Sequence, residues 1–155
     1  MADTCAVYTV NGLTINHASA DTLLTDFEEG DIQGLDGAPI RRQLDPGGQT
    51  GGGIVFPALL GPRIITFKGK VSIVSQDGGD RLLYAAAVNA VEAAAVSALQ
   101  GILNTTGTLS WTPNGGSAKS ISVYYGVEGG EIQFTGNMLD KSFTFTLVAP
   151  NPTIS

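Results

Sequence analysis

The order of apolar and polar positions along the chain is that of a β protein carrying one helix. Ala6-Val7-Tyr8-Thr9-Val10 and Leu13-Thr14-Ile15 flank Asn11-Gly12. That pair tolerates the positive φ angles of a two-residue turn, so a β-hairpin is predicted. From Asp21 to Gly37 no period is clear, and the segment reads as loop with one short strand near Leu23-Leu24. Arg63 to Val74 alternates. Ile65, Phe67, Val71 and Ile73 fall on one face, and Thr66, Lys68, Lys70 and Ser72 on the other. Further strands are predicted at Thr108–Trp111, Ser120–Val127, Glu131–Phe134 and Lys141–Val148, the last with Phe143, Phe145 and Leu147 together.

One helix is predicted, over about 78–101. Asp77 or Asp80 can accept its first free amide hydrogens, and both suit the positive end of the helix dipole. Tyr84, Val88, Val91, Ala95, Leu99 and Ile102 form one stripe, with Arg81, Asn89 and Glu92 off it. Gly101 or Asn104 is expected to supply a left-handed stop. The many alanines make the helix thin enough to lie close to a sheet.

The segment from about 41 to 62 reads as a long Gly-rich arm. Asp45-Pro46-Gly47-Gly48, Gly51-Gly52-Gly53 and Gly61-Pro62 punctuate it, and between the last two runs Ile54-Val55-Phe56-Pro57-Ala58-Leu59-Leu60. Long loops inside a compact domain are uncommon and usually functional or disordered. Ile54, Val55, Phe56, Pro57, Leu59 and Leu60 have little of their own domain to pack against, so a second chain is expected to cover them. The fold expected is a mainly β single domain, 1–155: a β-sandwich or split barrel of about seven to nine strands with the helix inserted.

Composition narrows the functional classes. The chain has 155 residues, 21 of them Gly and 7 Pro, with 14% charged against about 25% in an ordinary soluble domain. Such a lightly charged surface is either rich in Ser, Thr and Gly or hidden against partners. The net charge of −6 argues against a broad basic nucleic-acid face. It sits almost wholly in the first quarter, where Asp3, Asp21, Asp26, Glu28, Glu29, Asp31 and Asp36 meet no Lys or Arg before Ile40. No signal sequence is read at the N-terminus, and Tyr84–Leu103, alanine-rich and broken by Asn89, Glu92, Ser97 and Gln100, is not read as a membrane span.

Catalysis has poor raw material. One His and one Cys leave no Cys/His metal site and no disulfide framework. His17 sits in a polar segment, Cys5 has no basic neighbour, and no Gly-x-Ser-x-Gly element presents a nucleophile. Gly47–Gly53 lacks the Gly-Lys-Ser/Thr of a phosphate loop. Asp26, Glu28, Glu29 and Asp31 lack the spacing of a calcium loop. Trp111 with Tyr124-Tyr125 could form a sugar-binding platform, although aromatic residues in strands alternating this cleanly are more often core or interface. No enzyme activity, cofactor or metal is expected.

The order of elements carries a resemblance. An acidic N-terminal part precedes Gly34-Leu35-Asp36-Gly37-Ala38-Pro39-Ile40-Arg41, the Gly-rich arm, and Gly61-Pro62-Arg63-Ile64-Ile65-Thr66-Phe67-Lys68-Gly69. Asp80-Arg81-Leu82 opens the helix. Thr108–Trp111 and Ser120–Val123 follow, and Phe143-Thr144-Phe145-Thr146-Leu147-Val148-Ala149-Pro150-Asn151-Pro152 closes the chain. This resembles the N-terminal ring-forming domain of siphophage distal tail proteins, related in fold to tail tube proteins.

The resemblance implies a virion protein assembled in the host cytoplasm. It implies a homohexameric ring at the distal end of a long non-contractile tail, with the tail tube protein on one side, tip or baseplate proteins on the other, and no membrane partner. DNA would pass through the ring without specific binding during genome ejection. Asp26, Glu28, Glu29 and Asp31 are then expected to face the lumen, where repulsion serves a conduit better than adhesion. The alternatives are a tail tube subunit that stacks into the tube itself and, second, a carbohydrate-binding β-sandwich module.

Overall fold

In the computed structural model, which describes residues 6–16, 21–25, 32–37, 39–41, 44–45, 54–55, 59–75, 81–113, 115–137 and 140–155, the chain folds as thirteen described strands and one helix. They run β1 (Tyr8–Val10), β2 (Leu13–Ile15), β3 (Thr22–Thr25), β4 (Ile32–Gln33), β5 (Ile40–Arg41), β6 (Leu44–Asp45), β7 (Ile54–Val55), β8 (Leu59–Leu60) and β9 (Arg63–Ser72). Then come α1 (Arg81–Gln100), β10 (Gly107–Trp111), β11 (Lys119–Tyr125), β12 (Gln133–Asn137) and β13 (Asp140–Ala149). The β1–β2 hairpin turns at Asn11 and Gly12, whose φ angles of 46° and 82° are those that an Asn-Gly turn accommodates.

The main sheet closes on itself. Its order is β13-β11-β10-β1-β2-β3-β9, and β9 pairs back onto β13 from Ser142↔Lys70 to Ala149↔Arg63, giving a seven-stranded barrel. β12 and β4 extend it, β12 on β13 and β4 on β9. A sandwich or split barrel was the expectation, and it is corrected here: strand alternation is the same in an open sandwich and a closed barrel, and the long β9–β13 ladder closes this one. Six of the seven junctions are antiparallel.

The remaining junction, β2–β3, is parallel and rests on Ile15↔Leu23. A polar knot holds it. Asn16, buried and at φ 71°, accepts from the Thr25 amide (2.7 Å) and hydroxyl (2.8 Å), and its own amide donates to the Leu23 carbonyl (2.9 Å). Asn is among the few side chains that visit this backbone region without a large cost.

Inside lie the residues that the alternation places there, including Ile65, Phe67, Val71, Phe143, Phe145 and Leu147. Phe67 stacks on Phe145 at 5.1 Å, and Tyr8 meets Phe67 edge-on at 5.7 Å. The helix stripe Val88, Val91, Ala95 and Leu99, continued by Ile102, joins the same core. Asn11 Nδ2 donates to the Ala98 carbonyl (2.7 Å), the Tyr125 amide donates to the Ile102 carbonyl (3.0 Å), and Lys141 pairs with Glu92 at 3.0 Å. Those contacts set α1 against the barrel end where the β1–β2 turn and the start of β13 meet.

Neither Gly101 nor Asn104 takes a positive φ, so the expected left-handed stop is corrected. The helix instead tightens, with Ile102 donating to Leu99 (3.1 Å) and Leu103 to Gln100 (3.2 Å). Gly101 has a different reason to be there: a Cβ on it would lie 2.5 Å from Asn11 Nδ2. Residues 78–80 of the expected helix, with the candidate caps Asp77 and Asp80, lie outside the described residues. By length and composition α1 is apolar enough to cross a membrane, contrary to the sequence reading, and here its buried face serves the barrel core.

Candidate functional site

Where the arm was expected, the chain runs out and back. Ile40 pairs with Leu60 and Arg41 with Leu59, and Leu44 pairs with Val55 and Asp45 with Ile54. Among the described residues these two antiparallel ladders, β5–β8 and β6–β7, join no larger sheet. The Gly61 amide closes the root of this ribbon by donating to the Pro39 carbonyl at 2.8 Å. Of the candidate contact residues, Ile54 and Val55 are described through their backbone pairing. Phe56 and Pro57 lie outside the described residues, and Leu59 and Leu60 are exposed.

Directly opposed residues of an antiparallel pair share a face. Ile40 and Leu60 therefore stand together on one side of the ribbon, 70% and 58% exposed, and Leu59 stands on the other at 69%. Ile64, on the outward side of β9 beside the root, is 46% exposed. A two-stranded ribbon is marginal in water without a partner surface. This one presents large apolar side chains on both faces. Ile40 and Ile64 were missed as contact candidates, although the β9 alternation already places Ile64 on the outward face.

Beneath the root sits Arg63, the first residue of β9, pointing inward and 4% exposed. Its Nη1 donates to the carbonyls of Gly34 (2.8 Å) and Asp36 (2.6 Å). Its Nε and Nη2 both donate to the Pro152 carbonyl, at 3.2 and 2.9 Å. Gly34 adopts φ 95° so close to β9 that a Cβ on it would lie 1.9 Å from the Ile64 carbonyl oxygen. The guanidinium thus joins the chain entering the ribbon, the strand leaving it and the C-terminal turn.

Asp26, Glu28, Glu29 and Asp31 lie outside the described residues, as do His17 and Cys5. Both flanks of the acidic segment are placed: Thr25 pairs opposite Gly69 and Ile32 opposite Phe67 on the same edge of β9. Asp21 accepts from the Val74 and Ser75 amides, each at 2.9 Å, and from the Ser75 hydroxyl. These bonds, led by the Ser75 hydroxyl, hold its carboxyl below the usual Asp range. Among the described residues no three His, Cys, Asp or Glu side chains gather as metal ligands would.

Trp111 is 8% exposed and lies against Tyr8 with ring centroids 5.7 Å apart, and Tyr125 is buried, its hydroxyl accepting from the Ile132 amide at 2.8 Å. The sugar platform considered from sequence is therefore not formed by these rings. Period-two alternation sends Trp111 and Tyr125 inward with Leu109 and Val123.

The sequence matches no known protein family and no curated protein. Its structure does find a likeness. The chain superposes on the crystal structure of the SPP1 Dit (gp 19.1) protein with a TM-score of 0.61 at 10% identity, covering 96% of this chain and 51% of that one. The fold is like that of this Dit protein. That Dit protein is described as a paradigm of the hub adsorption apparatus in phages infecting Gram-positive bacteria, and the present chain spans about half its length. The Dit-like likeness takes in the barrel and the helix together.

Proposed function

We propose that this protein is a structural subunit of a phage tail, self-associating through the root of its ribbon into a ring at the distal end of a long non-contractile tail. The ring joins the tail tube to the tip or baseplate and leaves a channel for DNA. The observation that carries the reading is the β5–β8 ladder on a hub-like barrel, with Ile40, Leu59 and Leu60 exposed on its two faces. Head-to-tail contacts between identical subunits use two different surfaces and close into rings when the rotation permits. The exposed β5–β8 ladder supplies one such surface.

In this reading Ile54, Val55, Phe56 and Pro57 continue the apolar strip along the ribbon. Asp26, Glu28, Glu29 and Asp31 face the channel, where their charge repels the DNA phosphates. No catalytic step is assigned to any residue. Purified protein imaged by negative-stain microscopy tests the proposal. Single closed rings, six subunits around, support it. Long tubes favour a tail tube subunit that stacks on itself, and a monodisperse monomer at high concentration contradicts both.

A further inference from the structure

We propose that Arg63 is a positioning residue for self-association, fixing the direction in which the β5–β8 ladder leaves the barrel; this rests on the ring reading above. The inward face of β9 is otherwise apolar, with Ile65, Phe67 and Val71 following in the same alternation and Ile73 continuing it past the strand's end. An aliphatic side chain would seal the barrel end at lower cost, because burying a cation without a carboxylate is expensive. Among the described residues the ion pairs are Lys70–Asp140 and Lys141–Glu92, and Arg63 takes part in neither. Among the described residues its partners are main-chain carbonyls.

Those carbonyls belong to segments with one thing in common. Gly34 and Asp36 lie on the chain that reaches the ribbon at Pro39, and Arg63 itself follows the ribbon by three residues after Leu60. One planar fork therefore holds the incoming and outgoing chains at a set angle, and braces both on the Pro152 turn beyond β13. Apolar packing there would fill the space without fixing that angle. Arg63 never touches the partner subunit in this arrangement; it aims Ile40, Leu60 and Ile64 so that they form one surface. Lys keeps a donor but not the fork geometry.

The test compares wild type, Arg63→Lys and Gly34→Ala by light scattering, and measures amide exchange in a monomeric Leu60→Asp background with and without each change. Gly34→Ala acts on the same clasp from the acceptor side, because its Cβ would collide with the Ile64 carbonyl. The expectation is that both variants shift the assembled protein to monomer. In the Leu60→Asp background they speed exchange of the Gly61 amide by about tenfold or more, with β10, β11 and β13 amides unchanged. Wild-type assembly and unaltered Gly61 exchange in both variants would overturn the role of Arg63 while leaving the ring reading intact. So would faster Gly61 exchange with assembly intact, or loss of ladder and barrel protection together in both variants, which would make Arg63 a core fixture only. A monomeric wild type would instead remove the ring reading itself.

Discussion

Ile40 and Leu60 face one another across the β5–β8 ladder, and both stand in solvent although each is a large aliphatic residue. Inside the barrel Leu23, Ile65, Leu99, Leu109 and Leu147 are fully enclosed, while outside the ribbon Leu82 and Leu83 at the start of α1 are exposed as well. Ile40 and Leu60 thus add nothing to the barrel core, and the ring reading gives them a second copy to contact. It leads to a first prediction. Leu60→Asp will leave the melting temperature of the monomer within about 2 °C, as surface changes usually do, and will abolish the assembled state seen by light scattering. A large fall in melting temperature would mean that Leu60 belongs to the fold's own core.

Asn16 locks the parallel junction that completes the barrel. Asn16→Ala removes the acceptor for the Thr25 amide and hydroxyl and places a Cβ residue without a local hydrogen-bonding side chain at φ 71°. The expected loss is about 2–4 kcal/mol from an unsatisfied buried pair and a left-handed backbone. Urea unfolding with an unchanged m-value measures it.

The Phe67–Phe145 stack is central to the barrel interior, with both rings at most 1% exposed. Phe145→Ala is expected to cost about 3–5 kcal/mol through lost burial and the cavity left behind. Phe145→Leu will recover much of that loss. Chemical denaturation of the two variants side by side checks the order.

Acid will weaken the protein partly through Asp21. Its carboxyl is held below the usual Asp range in the folded state, so the unfolded chain binds the proton more readily. The contribution is therefore complete above about pH 5, where the unfolded carboxyl is ionised, and is lost as pH falls through the unfolded and then the lowered folded value. Thermal melts of wild type and Asp21→Asn will differ most at neutral pH and converge in acid. A gap that widens on acidification would reverse the sign argued here.

The chain's single Trp reports on the barrel end. Trp111 is buried against Tyr8, so its fluorescence will be blue-shifted and poorly quenched by acrylamide in the folded protein. Simple sugars will leave it unchanged. An exposed, sugar-sensitive Trp111 would revive a carbohydrate-binding module.

Local chemistry made much of this fold readable in advance. Asn11-Gly12 specifies its turn within two residues, and period-two alternation assigns the faces of β9 and β13 correctly down to Phe67 and Phe145. Closure was not readable, because the β9–β13 ladder and the Asn16–Thr25 knot depend on residues far apart or on a parallel contact with no local signature. Arg63 was readable but overlooked: counting back by twos from Phe67 puts it on the dry face, where a lone cation calls for partners. The contact surface was half legible. The apolar run pointed to Leu59 and Leu60, but Ile40 joins them only through strand pairing, and Ile64 only through its place beside the root.

A photo-crosslinking amino acid placed at position 60 tests the central claim most directly, with position 128 on an exposed turn as control. Irradiation of the purified protein is expected to give covalent dimers and higher ladders on a denaturing gel from position 60 and none from position 128. Only monomer from position 60, under conditions where the protein is concentrated and folded, would show that no second copy covers Leu60 and would contradict the account.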